Sequence, residues 1–156
     1  MRFLFCDRIV EIHKGDSIEG IKVFPLSEEF LNGHFEKASL VPGSIFIETM
    51  AQVLGWLIIY SHDFLRFPII SLLEDVEVMS DMAPGFEARV SAHIVSTTET
   101  DSLGKAEIHV DGESIARADR MIYSHFSAHD PVNLRNQFDL MAVSPKVPGA
   151  VRKIHG

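Results

Sequence analysis

The 156-residue chain sets 14 Lys and Arg against 22 Asp and Glu, for a formal charge of -8, and is 46% hydrophobic. That length suits one ordinary core and not two, and an acidic chain without clustered Lys and Arg lacks the cation surface that nucleic acids need. Cys6 is the sole cysteine, which excludes an intrachain disulfide and a cysteine-built zinc site and fits a reducing cytoplasm.

The first segment, Met1 to Ile12, is rich in Phe, Leu, Ile and Val and ends at the Lys14-Gly15-Asp16 turn, beyond which Ser17 to Phe24 alternates again. Two strands are expected there. Asp7 and Arg8 interrupt the opening apolar run before a signal-peptide core is complete, so the chain is expected to start as a mature protein. Pro25 and Ser27-Glu28-Glu29 suggest a short helical turn that leads into Leu31-Asn32-Gly33-His34-Phe35.

From Pro42-Gly43 the apolar residues become so dense that a central helix is expected, covered on nearly all sides, with Ser44 as its N-cap. The stretch is as long as a membrane span, but Glu48 and Gln52 near its middle argue for a buried helix of a soluble protein. These two residues are one helical turn apart and share a face, with Gly55 close to the same stripe. A buried polar stripe requires partners or a chemical task.

After Ser61-His62-Asp63, a strand is expected over Ile69 to Ser80, then a turn at Ala83-Pro84-Gly85 and an alternating strand over Phe86 to Thr97. Leu103 to Val110 and Ser114 to Tyr123 flank Asp111-Gly112, a two-residue hairpin signal. Six strands and one long helix follow from this reading. Asp130-Pro131 starts a further helix to about Met141, and Pro145, Pro148 and Gly149 open a tail expected to be mobile or packed on a neighbour.

The segment GHFEKASLVPGSIFIETMAQ joins a loop histidine, His34, to a helix opening at Pro42-Gly43, and Glu48 follows His34 by fourteen positions. Here the chain resembles the hot-dog (3R)-hydroxyacyl-acyl-carrier-protein dehydratases, in which a Gly-His-Phe histidine, a Pro-Gly pair and a helical acid recur at that spacing. The likeness runs from about Phe3 to Tyr123. It implies an α+β fold, a single hot-dog domain over residues 1–124 with an antiparallel sheet wrapped around one long central helix, and a C-terminal extension over 125–156.

The resemblance also implies a hydro-lyase of fatty-acid or related lipid and polyketide biosynthesis. Eliminating water from a 3-hydroxyacyl thioester requires a base for the proton on C2 and an acid for the hydroxide leaving C3. His34 suits the base, since imidazole is uncharged for much of the population near neutral pH, and Glu48 suits the acid if burial keeps it protonated or lets it hold a water. The amide of Gly43 at the helix N-terminus is the candidate for receiving charge on the thioester oxygen. Gln52 would orient Glu48, with Phe35 and Pro42 supporting the loop and the helix start.

By the same resemblance the substrate arrives on the phosphopantetheine arm of an acyl carrier protein, the acyl chain lies in a tunnel along the helix, and the site forms across a homodimer or an assembly of dimers. No metal or nucleotide cofactor, nucleic acid or membrane is implied. Arg117 and Arg120 are candidates for meeting a carrier phosphate, and the remaining histidines lack metal-ligand spacing. The chain departs from the family in having Glu36 and Ser39 where prolines are usual, and Glu36 would raise the pKa of His34. The alternatives are a hydratase or thioesterase acting on acyl-CoA, and a non-catalytic acyl-thioester binder. A thioesterase would not need the histidine.

Overall fold

The structure, a computed structural model, describes residues 6–26 and 40–142 and, by backbone alone, 153–155. The helical turn expected at Ser27-Glu28-Glu29 and the loop with Gly33, His34, Phe35, Glu36 and Ser39 lie outside the described residues. The order of elements is β1 (Arg8–His13), β2 (Ser17–Phe24), α1 (Gly43–Ser61), β3 (Arg66–Val78), β4 (Phe86–Thr97), β5 (Asp101–Val110), β6 (Glu113–Ser127), α2 (Pro131–Ala142) and β7 (Lys153–His155).

The strands form one sheet in the order β3-β6-β5-β4-β2-β1-β7. Pairing is antiparallel from β3 through β1, as expected. The exception is β7, which runs parallel to β1, so that part of the tail adds a seventh strand where six were expected. The hairpin between β5 and β6 turns at Asp111 (φ 50°) and Gly112 (φ 81°), the left-handed pair that a two-residue loop requires.

The sheet curls around α1, which packs against β2, β3, β4, β5 and β6. Phe46, Met50, Val53, Leu54, Leu57 and Ile58 of α1 are fully buried, together with Phe24 of β2 and Ile108 of β5. The Phe24 and Phe46 rings meet edge to face at 5.6 Å, a geometry that the ring quadrupoles favour. By length and composition α1 could cross a membrane, but half of that stretch is buried inside this fold. Gly104 of β5 permits the close approach: a Cβ there would lie 2.6 Å from the His93 carbonyl oxygen and 2.8 Å from Leu54 Cδ2.

Three expectations are corrected. The N-cap of α1 is Pro42, extended at φ -63° and ψ 141° and making no side-chain cap bond, and Ser44 lies inside the first turn. The Ile45 amide closes that turn by donating to the Pro42 carbonyl at 3.0 Å. Next, β3 begins at Arg66 and not at Ile69, although Pro68 lies within it. A proline is tolerated because β3 is the outer strand of the sheet, where one side of the backbone has no ladder to lose. Finally, one chain alone does not cover α1 on nearly all sides: nine of its 19 residues are buried, and Glu48 is exposed.

Beyond the expected boundary at 124/125, β6 continues to Ser127, and α2 folds back onto α1. Phe138, 2% exposed, stacks on Tyr60 at 5.2 Å and meets Phe64 edge to face at 5.4 Å. Asp130 caps α2 by accepting from the Asn133 amide at 3.0 Å, as an aspartate at a helix start does.

Candidate active site

The polar stripe of α1 opens onto a cavity of about 350 Å³. Glu48, Ala51, Gln52, Gly55, Trp56 and Ile59 form one wall, Phe67, Pro68 and Ile70 of β3 a second, and Tyr123, Leu134 and Gln137 the remainder. The α1 members recur at intervals of three and four, so one face of one helix supplies the floor. Glu48 and Gln52 therefore project into the same space, as expected. The expectation of a buried Glu48 is corrected: within one chain it is exposed and Gln52 is half-buried.

Tyr123 is 2% exposed, and its hydroxyl donates to the Ala51 carbonyl at 2.7 Å. Burial first, and then the Glu48 carboxylate, push its phenol well above the ordinary range, so it remains a protonated donor and a fixed part of the wall. No sequence pattern pointed to Tyr123, Trp56, Phe67 or Leu134 as site residues. Only the aromatic and apolar character of their segments offered a signal.

Gly43 is the first residue of α1, so its amide has no carbonyl within the helix to bond. It lies five residues before Glu48, about 7.5 Å along the axis. A Cβ at Gly43 would lie 2.9 Å from Val78 Cγ2, which leaves no room for a side chain between the helix start and β3. Val41, just before, is held by its amide donating to the Met82 carbonyl at 2.8 Å. Pro42 and Gly43 are thus fixed from both sides, while His34 and Phe35 lie outside the described residues.

Arg117 and Arg120 do not present free cations. Arg117 pairs with Glu77 and Asp119, each at 3.5 Å, and Arg120 pairs with Glu74 at 3.4 Å. Cys6 is buried, and burial with the neighbouring Asp7 pushes its thiol up to about 12, which removes it as a nucleophile. Among the described residues, His, Cys, Asp and Glu side chains do not gather in threes that could hold a metal ion.

A second polar group lies at the C-terminal end of α1 and was not anticipated. His62 bonds Thr97 at 2.7 Å, Thr97 bonds Ser102 at 2.6 Å, and Ser102 bonds His125 at 2.8 Å. Ser102 is 2% exposed, so the chain of bonds ties the helix end to β4, β5 and β6. Burial first lowers the pKa of both imidazoles, aided by Arg66 at His62 and by His62 at His125.

Residues 1–119 match the family model described as a FabA-like domain. The chain is 30% identical, over 118 residues, to a 3-hydroxyacyl-(acyl-carrier-protein) dehydratase FabZ of Caldicellulosiruptor saccharolyticus; the match covers 75% of this chain and 84% of that one. Among solved structures, the dehydratase heterocomplex ApeI:P of Xenorhabdus doucetiae aligns with a TM-score of 0.64 at 13% identity, over 78% of this chain and 82% of that one. The protein smu.793 of Streptococcus mutans, solved with acetyl-CoA bound, aligns with a TM-score of 0.62 at 12% identity, over 83% and 96%. At such identities the two structures speak for the hot-dog fold alone.

Proposed function

The chain belongs to the FabA-like family, and from that premise we propose that His34 and Glu48 are the acid/base pair of its reaction. That reaction is the dehydration of 3-hydroxyacyl-acyl-carrier-protein thioesters, a hydro-lyase step of fatty-acid biosynthesis. His34 takes the proton from C2, the electron pair of that C–H bond forms the C2–C3 double bond, and the C3–O bond breaks as Glu48 gives its proton to the departing hydroxide. Water and a trans-2-enoyl thioester are the products.

Negative charge gathers on the thioester oxygen as C2 loses its proton, and the Gly43 amide, with no helical partner and at the positive end of α1, receives it. Gln52 orients Glu48 from the next turn. Phe35 and Pro42 support the loop and the helix start. The observation that carries this reading is the pair of polar residues, Glu48 and Gln52, in an otherwise largely apolar cavity along α1.

Residues 1–124 constitute the hot-dog dehydratase-like domain and 125–156 its C-terminal extension. The working unit is a homodimer, singly or in a larger assembly of dimers. Support comes from β3, an outer strand that exposes Phe67, Ile69, Ile70 and Leu72 by 37–50%, an apolar edge that a monomer would normally guard. A second copy on that edge would cover Glu48, and by the family resemblance the acid/base pair would form between His34 of one copy and Glu48 of the other. The protein acts in the cytoplasm on substrates carried by an acyl carrier protein.

The test is turnover of (3R)-hydroxyacyl-acyl-carrier-protein substrates, followed by ultraviolet absorbance of the enoyl product. His34→Ala and Glu48→Gln should each lose roughly 10²–10⁴-fold in rate, the usual contribution of a positioned acid or base. Wild type that binds acyl carrier without turnover would replace the dehydratase reading with that of a non-catalytic binder.

A further inference from the structure

The cavity along α1 adjoins a second one. Phe67, Leu134 and Gln137 line both, so that spaces of about 350 Å³ and about 390 Å³ meet at these three side chains. Two of the three belong to α2, which lies beyond the segment that matches the family model, residues 1–119.

The position of α2 along α1 follows from its aromatic anchor. Phe138 packs against Trp56 at 6.3 Å and against Tyr60 at 5.2 Å, so α2 crosses the C-terminal half of α1. Leu134 lies one turn before Phe138 and faces the cavity. From Glu48 to Trp56 is eight residues, about 12 Å along the helix axis. A chain that starts at the acid therefore meets α2 near Trp56.

We propose that α2 sets the length of acyl chain that this protein accepts: Leu134 and Gln137, which line both cavities together with Phe67, end the tunnel and restrict the substrate to short and medium chains. This rests on the dehydratase reading of the same cavity. Three features support it. The cavity on the Glu48 side is at the small end of the range for ligand pockets, roughly 300–1,000 Å³. Gln137 places an amide where longer alkyl chains would have to pass, and covering it without a hydrogen-bond partner opposes their entry.

The third feature is the fixed seat of α2. Phe138 and Met141 are 2% and 5% exposed, and Arg135 lies over the Phe64 ring at 4.5 Å. The helix is held by packing at one end while Leu134 and Gln137, half-buried, are left facing the two spaces. Truncation at Leu134 would open the boundary between cavities of similar size.

Trp56 is the only tryptophan of the chain and forms part of the cavity wall, so its emission reports a chain that reaches α2. Full-length wild type, Leu134→Ala and Leu134→Phe would be titrated with a graded series of (3R)-hydroxyacyl-pantetheine thioesters, following Trp56 emission and enoyl formation together. Val132→Ala, at a site 70% exposed on the outer face of α2, serves as the control. In wild type, affinity should rise with chain length to a limit and then fall.

Leu134→Ala should move that limit to longer chains, with roughly a ten-fold gain in affinity for the first length that wild type excludes. Leu134→Phe should move it to shorter ones, and Val132→Ala should leave it in place. The same limit in all four proteins, or emission that responds to no length in wild type, overturns the role of α2. A limit that moves with Leu134 while no length is dehydrated keeps that role and overturns the dehydratase reading instead.

Discussion

Gly104→Ala tests how closely the sheet must approach α1. The new Cβ would lie 2.6 Å from the His93 carbonyl oxygen and 2.8 and 3.1 Å from the two Leu54 methyl carbons. Leu54 can rotate, although it is fully buried, but the carbonyl belongs to β4, which pairs with β5 on both sides of this point. Relief therefore requires β4 and β5 to separate locally. Overpacking of this kind costs about 1–3 kcal/mol, and alanine recovers about 0.4–1 kcal/mol by restricting the unfolded chain.

A net loss of roughly 1–2 kcal/mol corresponds to a Tm lower by about 2–8 °C in a chain of this size. Thermal unfolding followed by circular dichroism at one fixed protein concentration measures it, because any linked assembly would otherwise move Tm. Gly55→Ala is the internal contrast. Its Cβ would be 3.9 Å from Pro68 Cγ, an ordinary contact, and alanine is favoured over glycine inside a helix by up to about 1 kcal/mol. Gly55→Ala should therefore hold or raise Tm. If Gly104→Ala is as stable as wild type, the close approach at Gly104 does not fix the seat of α1.

Gly43→Ala should push Val78 or tilt the helix start, since its Cβ would come within 2.9 Å of Val78 Cγ2; a displacement near 1 Å of the amide predicts a kcat loss on the order of 10²-fold, read against an unfolding midpoint that moves little. His62 and His125 titrate below their ordinary value of 6.5, so the folded state favours their neutral forms. Their stabilisation is complete above 6.5 and is lost as pH falls from there through the lowered folded values, because the unfolded chain binds protons first. Urea midpoints between neutral and mildly acid pH should decline, and less so in a His62→Gln variant; equal slopes would refute this. Cys6, with its thiol pushed up to about 12, should resist alkylation in the native protein and react only on unfolding, which mass spectrometry of urea-treated samples would show.

Much of this fold was legible because local signals and tertiary contacts agree. The alternation of Ala88, Val90 and Ala92 gave β4 from Phe86 to Thr97, and all three are fully buried. Asp111-Gly112 announced its hairpin by the left-handed backbone that it adopts. Elsewhere the deciding contact lies far off in the chain. Pro68 looks like a strand breaker until β3 is known to be the outer strand, and the pairing of Lys153–His155 with β1 joins opposite ends of the sequence.

The candidate site divides in the same way. Glu48 and Gln52 share a face by helical arithmetic, and that much is local. Their surroundings are not: the Tyr123 hydroxyl reaches the Ala51 carbonyl across 72 positions, and Leu134 enters through α2. Dense apolar sequence on α1 says that its surface must be covered, but the periodicity is blind to which molecule does the covering. A single chain leaves Glu48 exposed beside the apolar outer edge of β3. The role proposed for Glu48 calls for that face to be covered, and residues 40–142 of one chain leave it open. A second copy on that face would reconcile the burial that the sequence demands of α1 with an exposed Glu48, which is the physical reason for proposing one there.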